Sequence, residues 1–459
     1  MTRRSPAQLS RALSLTLLAS MLVFVVSTPA LAASNHKIVG GYFEEWSIYG
    51  AGYDLDQVQT AGIAKNLDIL TYAFGNAYNS NTGVGGTCNL ADPWADFGSP
   101  FVNEVPGATP WTPVTQTFWT YQNTNGNFAD LLQLKQLNPN LKVVISVGGA
   151  NPAQAAGFAQ AAATDAGRKA LVSSCINLFI DPASDMVAAA KAEGFGGYGG
   201  TAPLGPVFDG IDIDWEFPTA ADKANFTLLM QEFRKELDAF GAAHGGKHYL
   251  LTYFGPAGKQ NYSNIDIAGV AKSVDFVNLQ GYDFHGTWET QTDHAAPLFQ
   301  NPHDPHLSDP SEAGFYDEGA VDAFLDGGTP GSKILLGIPL YARGWAGVPN
   351  VNHGLFQTST GPAPAPGDEL ATDGVSTVDW IAANNNGFTT YLDPFALVNW
   401  EYNPATQTFW SYETTESAAI KSIYSDVRVP GGLGGEYVWA IKDQKSGAII
   451  QTMRNYLKP

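Results

Sequence analysis

Eight short runs of mostly apolar residues recur along this chain, with helical patterns between several of them. The runs cover residues 37–43, 67–75, 141–149, 207–217, 248–255, 274–283, 333–342 and 434–441. Nearly continuous apolar strands are typical of parallel sheets that are covered on both faces. Between the fourth and fifth runs, apolar residues repeat at helical spacing from Phe226 to Phe240. Strands that alternate with helices in this number predict an α/β fold, a (β/α)8 TIM barrel.

A long stretch separates the seventh run from the eighth. It includes GFTTYLDPFALVNWEYNPATQTFWSY, whose short polar and aromatic runs are typical of antiparallel strands. We therefore predict a small α+β domain at 345–412, inserted between strands seven and eight. The barrel is then made of two parts, 33–344 and 413–459.

Residues 1–32 have the pattern of a secretory signal. A basic start precedes the apolar run ALSLTLLASMLVFVV, and the small-x-small sequence Ala30-Leu31-Ala32 follows it. We expect this signal peptide to be cleaved and the protein to be secreted and extracellular. No later run reaches the roughly 18–20 apolar residues of a membrane span, so we expect no membrane partner after cleavage.

Charge and cysteine content limit the possible partners. The formal net charge of −20 repels phosphate backbones, which argues against nucleic acid as a partner. Cys88 and Cys175 are the two cysteines, and in an exported protein they form either one disulfide or two unpaired thiols. Two cysteines are too few for a four-thiolate zinc site. We expect a monomer that uses no cofactor and no metal.

The fourth run, FDGIDIDWEF at 208–217, carries closely spaced acids. Alternate side chains of a strand share a face, so Asp212, Asp214 and Glu216 point one way. In a barrel this face is turned towards the axis, and neighbouring acids lie roughly 6–7 Å apart. Three close carboxyl groups do not all ionise easily, so at least one proton should be held near neutral pH. Glu216, at the C-terminal end of the strand, is then a candidate general acid.

Other interpretations of the acids are weaker. A calcium-binding loop requires Gly at its sixth position. If such a loop began at Asp212, its sixth residue would be Phe217. A solvated acidic edge strand is a second alternative. Alternation places Asp209 on the helix side, unless Gly210 bulges the strand, and we assign Asp209 a structural role. The loop NPHDPHLSDPSE, beginning at Asn301, could ligate a metal but is more typical of a solvated turn.

Five segments, in chain order, resemble the motifs of family 18 glycoside hydrolases, the chitinase family. DGIDIDWE resembles the D-G-x-D-x-D-x-E signature of that family. LKVVISVGG, NLQGYDFHG, IPLYARGW and GGEYVWAIKDQ resemble its third, sixth, seventh and eighth strands. The residues matched in these four are Ser146, Gly148, Gly149, Tyr282, Asp283, Tyr341, Arg343 and Trp439. The predicted insertion resembles the extra domain of the subfamily with deep clefts.

The resemblance implies hydrolysis of β-1,4 bonds next to N-acetylglucosamine, with retention and with the substrate's own acetamide as nucleophile. Chitin or N-acetylglucosamine oligomers would be the partners. Glu216 would protonate the leaving oxygen, and Asp214 would hold the acetamide N–H. Asp212 would tune Asp214 through a shared proton, with Ser146 nearby. Tyr282 would donate to the acetamide oxygen.

Among the remaining matched residues, Gly148 and Gly149 would have a structural role, and the others would bind the sugar. Asp283 would contact the distorted ring, Trp439 would form the floor beneath it, and Arg343, next to Tyr341 on the seventh strand, would bind hydroxyls or an acid at the cleft edge. Gln280 stands where the family usually has Met, which leaves the detail of that subsite open. The stacking candidates on loops are Trp46, Trp288 and Trp345.

Two other functions remain as alternatives. A sugar-binding lectin on the same fold would typically lack the acid, whereas Glu216 is present. An endo-β-N-acetylglucosaminidase acting on N-glycans shares the signature, although the inserted domain and the many aromatic residues favour a long polymer. Hydrolysis of glycoprotein but not of chitin oligomers would identify the second alternative.

Overall fold

The computed structural model describes residues 36–79, 83–99, 126–181, 207–310 and 314–457. The predicted signal peptide at 1–32 lies outside these residues. Eight parallel strands form the central sheet: Ile38–Glu44, Ile69–Asn79, Lys142–Gly149, Gly210–Trp215, Leu250–Gly255, Phe276–Leu279, Ile334–Pro339 and Gly435–Trp439. The first strand pairs with both the second and the eighth, which closes the sheet into a barrel. The predicted (β/α)8 fold is confirmed.

Helices cover the outside of the barrel. Their bounds are Leu55–Thr60, Asn127–Leu137, Pro152–Ala162, Asp165–Cys175, Lys223–Ala243, Lys259–Tyr262, Ile267–Ala271, Asp317–Asp326, Thr415–Val427 and Ala448–Tyr456. Helix Lys223–Ala243 buries the apolar stripe that its sequence predicts, including Leu229 and Phe233. The main core therefore lies between the strands and the helices, and a smaller cluster around Tyr42 and Tyr437 fills the barrel interior.

A second, antiparallel sheet is inserted between the seventh and eighth barrel strands. Its strands are Tyr341–Ala346, Gly361–Pro362, Val375–Thr377, Thr389–Leu392, Asn399–Asn403 and Thr408–Tyr412, and helix Val378–Ala383 follows the third of them. The apolar run at 333–342 is therefore not one strand. The chain leaves the barrel after Pro339, and Tyr341 pairs with Thr377 in the second sheet. Apolar character continues across the junction because both sheets are buried there.

Strand Val84–Leu90 extends the barrel sheet by pairing antiparallel with Ile69–Asn79. Cys88 on this strand and Cys175 at the end of helix Asp165–Cys175 form a disulfide, so the alternative of two thiols is wrong. The main-chain N–H of Cys88 also donates to the hydroxyl of Ser174 at 2.8 Å. Within the described ranges, none of the helices combines the length and apolar character needed to cross a bilayer.

Candidate active site

Strand Gly210–Trp215 separates its acids from its apolar residues. Ile211, Ile213 and Trp215 are buried on the helix side, where the Trp215 ring stacks on Phe158 at 5.4 Å. Asp212 and Asp214 point into the barrel and are also buried. Glu216 directly follows the strand at its C-terminal end. The period of two in a strand therefore gathers the three acids in one row, as the alternation predicts.

Asp212 is held by four hydrogen-bond donors from four other barrel strands. Ser146 and Tyr42 donate their hydroxyls to Oδ2 at 2.8 and 3.1 Å. Thr252 and Asn278 donate to Oδ1 at 2.6 and 3.2 Å. Burial raises the pKa of Asp212, and the donated hydrogen bonds oppose that rise.

Three of these donors were missed by the sequence analysis. Tyr42, Thr252 and Asn278 each lie in a run that is otherwise mostly apolar. A polar residue at an inward position of such a run is a usable signal, because buried polar groups need partners. Which acid they contact depends on how the strands pair, and one run alone does not contain that information.

Asp214 and Glu216 form a proton-sharing pair. Burial, followed by the charges of Glu216 and Asp212, raises the pKa of Asp214 well above its usual value. Burial, followed by the charge of Asp283, raises the pKa of Glu216 to about 7. Because the charge of Glu216 raises the pKa of Asp214, the two carboxyl groups titrate together. Oδ1 of Asp214 is buried and has no hydrogen-bond partner among the residues that the structure describes, so it can accept from a ligand.

Tyr282 and Asp283 lie beside this pair, after the sixth barrel strand. Burial, followed by the charges of Asp214 and Glu216, raises the pKa of Tyr282 well above its usual value, so its hydroxyl stays a donor. Asp283 adopts a positive φ of 56°. Its Oδ1 accepts from Nε and from a terminal nitrogen of Arg343 at 2.8 and 2.7 Å.

Arg343 comes from the first strand of the second sheet and lies between aromatic rings. Its guanidinium lies 5.1 Å from the ring centre of Tyr341 and 5.3 Å from that of Trp288. Burial, followed by the charge of Asp283, raises the pKa of Tyr341 well above its usual value. Leu370 and Val375, also from the inserted segment, pack on the cluster that contains Tyr341. The insertion therefore forms part of the wall of this site.

An aromatic row crosses the C-terminal end of the barrel. The Trp439 ring lies 5.0 Å from that of Tyr42 and 5.8 Å from that of Phe74, and Trp46 lies 5.9 Å from Phe74. Trp46 is 38% exposed and Trp288 58% exposed, so both can be reached from solvent.

Trp345 does not belong to the exposed aromatic residues. It is fully buried in the second sheet, 5.7 Å from the ring of Phe409, so the prediction that it stacks from a loop is wrong. The apolar face of that sheet needs a large side chain here, and the sequence pattern does not distinguish this use from an exposed ring.

Two glycines allow the third strand to end next to the acids. Gly148 has a φ of +129°, and a Cβ there would lie 1.9 Å from the carbonyl oxygen of Asp214. Gly149 has a φ of +97°, and its Cβ would lie 2.9 Å from the Phe74 ring. The third and fourth strands, and the Phe74 ring, can therefore approach each other only because both positions lack a side chain.

Gln280 follows the sixth barrel strand, two residues after Asn278, and is half-buried. Its side-chain oxygen accepts the main-chain N–H of Ala257 at 3.1 Å. The period of two places it on the same side of the chain as Asn278, one level closer to the end of the barrel.

Asp209 lies apart from the acid row, just before the fourth strand. Lys135 and Lys247 each approach its carboxylate to 2.8 Å. Although burial raises the pKa of Asp209, these two charges hold it below its usual value.

Among the described residues, no three His, Cys, Asp or Glu side chains are arranged to hold a metal ion. His306, in the loop that begins at Asn301, contacts Gln291 at 3.1 Å.

Comparisons with known proteins agree with this geometry. The model of the glycosyl hydrolases family 18 matches residues 38–444. Chitinase A1 of Niallia circulans is 32% identical, over 97% of this chain and 62% of its own length. Endochitinase 1 of Metarhizium robertsii is 30% identical, over 98% of this chain and 92% of its own length. The chain thus spans less than two thirds of the first relative and most of the second.

Solved structures give the same result. The catalytic domain of psychrophilic chitinase B from Arthrobacter TAD20 is similar with a TM-score of 0.78 and 32% identity, covering 94% of this chain and 97% of that one. Chitinase ChiA74 from Bacillus thuringiensis is similar with a TM-score of 0.71 and 28% identity, covering 92% of this chain and 69% of that one.

Proposed function

Because the chain belongs to the family 18 glycosyl hydrolases, we propose that it is a retaining chitinase that hydrolyses β-1,4 bonds between N-acetylglucosamine residues. The observation that carries this proposal is the pair of Glu216 and Asp214. Glu216 has a pKa of about 7 at the mouth of the barrel, and Asp214 presents a buried oxygen without a partner among the described residues. An acid and a nearby acceptor are the two groups that substrate-assisted cleavage requires.

In the first step, protonated Glu216 donates its proton to the glycosidic oxygen, and the bond between that oxygen and C1 breaks. The acetamide oxygen of the same sugar forms a bond to C1, which gives a cyclic oxazolinium ion and a leaving chain with a free hydroxyl. Asp214 accepts the acetamide N–H and stabilises the positive charge of the ion. The raised pKa of Tyr282 keeps its hydroxyl protonated, so this hydroxyl donates to the acetamide oxygen and orients it for attack.

In the second step, the carboxylate of Glu216 takes a proton from water, whose oxygen attacks C1 and opens the ring. The acetamide has already occupied the opposite face of C1, so water enters on the side that the leaving group left. The product keeps the β configuration, and Glu216 is protonated again for the next cycle.

Asp212 would act through Asp214 rather than on the sugar. It has four donors of its own, and its charge raises the pKa of Asp214. Ser146 is one of those donors. In this proposal, Asp212 keeps a proton on the Asp214–Glu216 pair until the substrate arrives.

The surrounding residues would bind the polymer. Trp439 would form the floor beneath the sugar that is attacked, and Trp46 would stack on a sugar further along the chain. Asp283, fixed by two nitrogen atoms of Arg343, would accept from sugar hydroxyls.

Gln280 is the remaining candidate for a substrate contact. Its side-chain oxygen accepts the main-chain N–H of Ala257, so its amide N–H groups would bind the ligand.

The location of the protein is also part of the proposal. Residues 1–32 would be removed on export, and the barrel with its insertion at 345–412 would act outside the cell as a monomer.

The test is the product profile from the N-acetylglucosamine hexamer, followed by NMR of the anomers. We expect the wild type to release β-anomeric products and Glu216→Gln to lose more than about a thousandfold in kcat. Glu436→Gln is the matched control, because Glu436 is a buried glutamate whose carboxylate accepts from Ser422 and Ser425 away from the cleft. Binding of the hexamer without turnover by the wild type, or cleavage of glycoprotein alone, would contradict the proposal.

A further inference from the structure

Trp288 places an exposed aromatic ring beside the acid site. It is 58% exposed, and the guanidinium of Arg343 lies 5.3 Å from its ring centre. The same guanidinium binds Asp283, so the indole lies on the wall that this ion pair forms. The ring also packs on Gly286, where an added Cβ would lie 2.3 Å from it. A flat ring with one face covered and the rest open to solvent can stack on a sugar, provided that its orientation is fixed.

The main chain around Trp288 is held by the inserted sheet. The indole N–H of Trp345, which is buried in that sheet, donates to the main-chain oxygen of Glu289 at 3.2 Å. The main-chain N–H of Glu289 closes the turn by donating to the carbonyl oxygen of Gly286 at 3.0 Å. Neither contact involves the side chain of Glu289. Replacing that side chain therefore leaves the turn itself in place.

The side chain of Glu289 joins the exposed indole to a buried ring. Its Oε1 accepts the indole N–H of Trp288 at 3.0 Å. Its Oε2 lies 3.0 Å from Nδ1 of His285, which is 2% exposed. The indole has a single polar group, so this hydrogen bond determines how the ring is turned about its side-chain torsions. Because the second oxygen contacts buried His285, the carboxylate cannot follow the indole into another rotamer without losing that contact.

An exposed tryptophan without such a contact has several accessible rotamers, and a ligand that must select one of them loses affinity. We propose that Glu289 is a positioning residue, and that it holds the Trp288 ring in the orientation in which Arg343 covers one face and a sugar of the bound chain stacks on the other. The inference rests on the proposed function, because it takes the ligand to be a chain of N-acetylglucosamine units. Glu289 itself does not touch the reacting atoms.

The experiment is a double-mutant cycle on hexamer affinity, measured by calorimetry in the Glu216→Gln protein, where turnover does not interfere. We expect Trp288→Ala to weaken binding about tenfold or more, and Glu289→Ala to weaken it about fivefold. Adding Glu289→Ala to Trp288→Ala should change the affinity by less than about twofold, because Glu289 acts only through the ring.

Two further variants define what the carboxylate does. Glu289→Gln keeps an oxygen that accepts the indole N–H, so its affinity should stay within about twofold of the parent. Glu232→Ala is the matched control and should leave the affinity unchanged. Glu232 is also a half-buried glutamate, but it lies on the outer helix Lys223–Ala243, where it pairs with Lys235.

Kinetics of the otherwise wild-type enzyme separate positioning from catalysis. Stacking on a sugar away from the reacting bond contributes equally before and during cleavage. Glu289→Ala should therefore raise KM for the hexamer and leave kcat within about twofold.

Three results would overturn the inference. Parent-like affinity of Glu289→Ala would mean that the ring needs no support from the carboxylate. The same loss from Glu289→Ala with and without Trp288 would mean that Glu289 acts elsewhere, and a loss in Glu289→Gln equal to that in Glu289→Ala would mean that accepting the indole N–H is not its role. Absence of hexamer binding by the parent, together with no turnover by the wild type, would refute the proposed function and this inference with it.

Discussion

The hydroxyl of Ser146 donates a 2.8 Å hydrogen bond to Oδ2 of Asp212, its direct partner in register on the adjacent barrel strand. Both side chains are fully buried, so this contact is formed without competition from water. In the third strand a serine at this position is otherwise surrounded by valine, isoleucine and glycine. The contact therefore links the third strand to the acid row, and it can be tested separately from the other donors.

Ser146→Ala should lower kcat by about tenfold and change KM little. A hydrogen bond to a charged group contributes about 1.5–3 kcal/mol, and three other donors to Asp212 remain, so we expect the lower end. Thr252→Val removes a donor to the other oxygen of Asp212 and should act in the same direction. Steady-state kinetics on the hexamer measure both effects, and an unchanged kcat in both variants would mean that Asp212 does not act on the reaction.

Glu216 should make the fold less stable as the pH rises. Its pKa is about 7 in the folded protein, compared with about 4.3 in an unfolded chain. A raised folded-state pKa contributes stability that is full below the unfolded value and is lost as the pH rises through about 7. Glu216→Gln cannot ionise, so it should gain on the order of 2 kcal/mol over the wild type between pH 5 and pH 8.

Denaturant unfolding at several pH values measures this difference. Asp238→Asn is a suitable control, because Asp238 is an exposed carboxyl on helix Lys223–Ala243. Its difference from the wild type should be nearly the same at pH 5 and pH 8. A constant difference for Glu216→Gln as well would show that the pKa of Glu216 is not raised by folding.

Gly149→Ala should damage both stability and substrate binding. Its φ of +97° strains any other residue, and the new Cβ would meet the Phe74 ring at 2.9 Å. Gly431 has a φ of +85°, and no atom of the described residues lies within 4 Å of the added Cβ, so Gly431→Ala carries the backbone strain alone. We expect a loss of about 1 kcal/mol for Gly431→Ala, and for Gly149→Ala a larger loss with weaker hexamer binding. Equal effects of the two variants would contradict a role for the glycine–ring contact.

Local pattern predicted much of this molecule. The barrel strands are buried on both faces, so they appear in the sequence as apolar runs. Seven of the eight predicted runs correspond to single strands of the barrel. The seventh run contains two strands, because burial continues while the chain changes sheets after Pro339. Alternation placed Asp212 and Asp214 on one face because it depends only on neighbours in sequence.

What the pattern did not predict depends on contacts between distant strands. Tyr42, Thr252 and Asn278 meet at Asp212 only through strand pairing and barrel closure. The burial of Trp345 likewise depends on the second sheet. The disulfide between Cys88 and Cys175 forms because strand Val84–Leu90 lies against helix Asp165–Cys175, and no local sequence pattern predicts that contact.

The charge of Asp283 should set the alkaline limb of the activity profile. After burial, this charge is the next cause that raises the pKa of Glu216, and Arg343 holds the same carboxylate through two nitrogen atoms. Asp283→Asn removes the negative charge, so the Glu216 proton is lost more easily and the fall in kcat/KM should move to lower pH. Arg343→Met removes the positive charge and leaves Asp283, so the fall should move to higher pH.

The two variants should therefore shift the limb in opposite directions, each by about half a unit or more. Both should also raise KM, because each breaks the contact between Asp283 and Arg343, and a loss of binding alone cannot produce opposite shifts. The measurement is kcat/KM on the hexamer between pH 4 and pH 9, which reports the ionisation of the free enzyme. Shifts in the same direction, or no shift, would mean that Asp283 acts on the substrate without influencing the proton of Glu216.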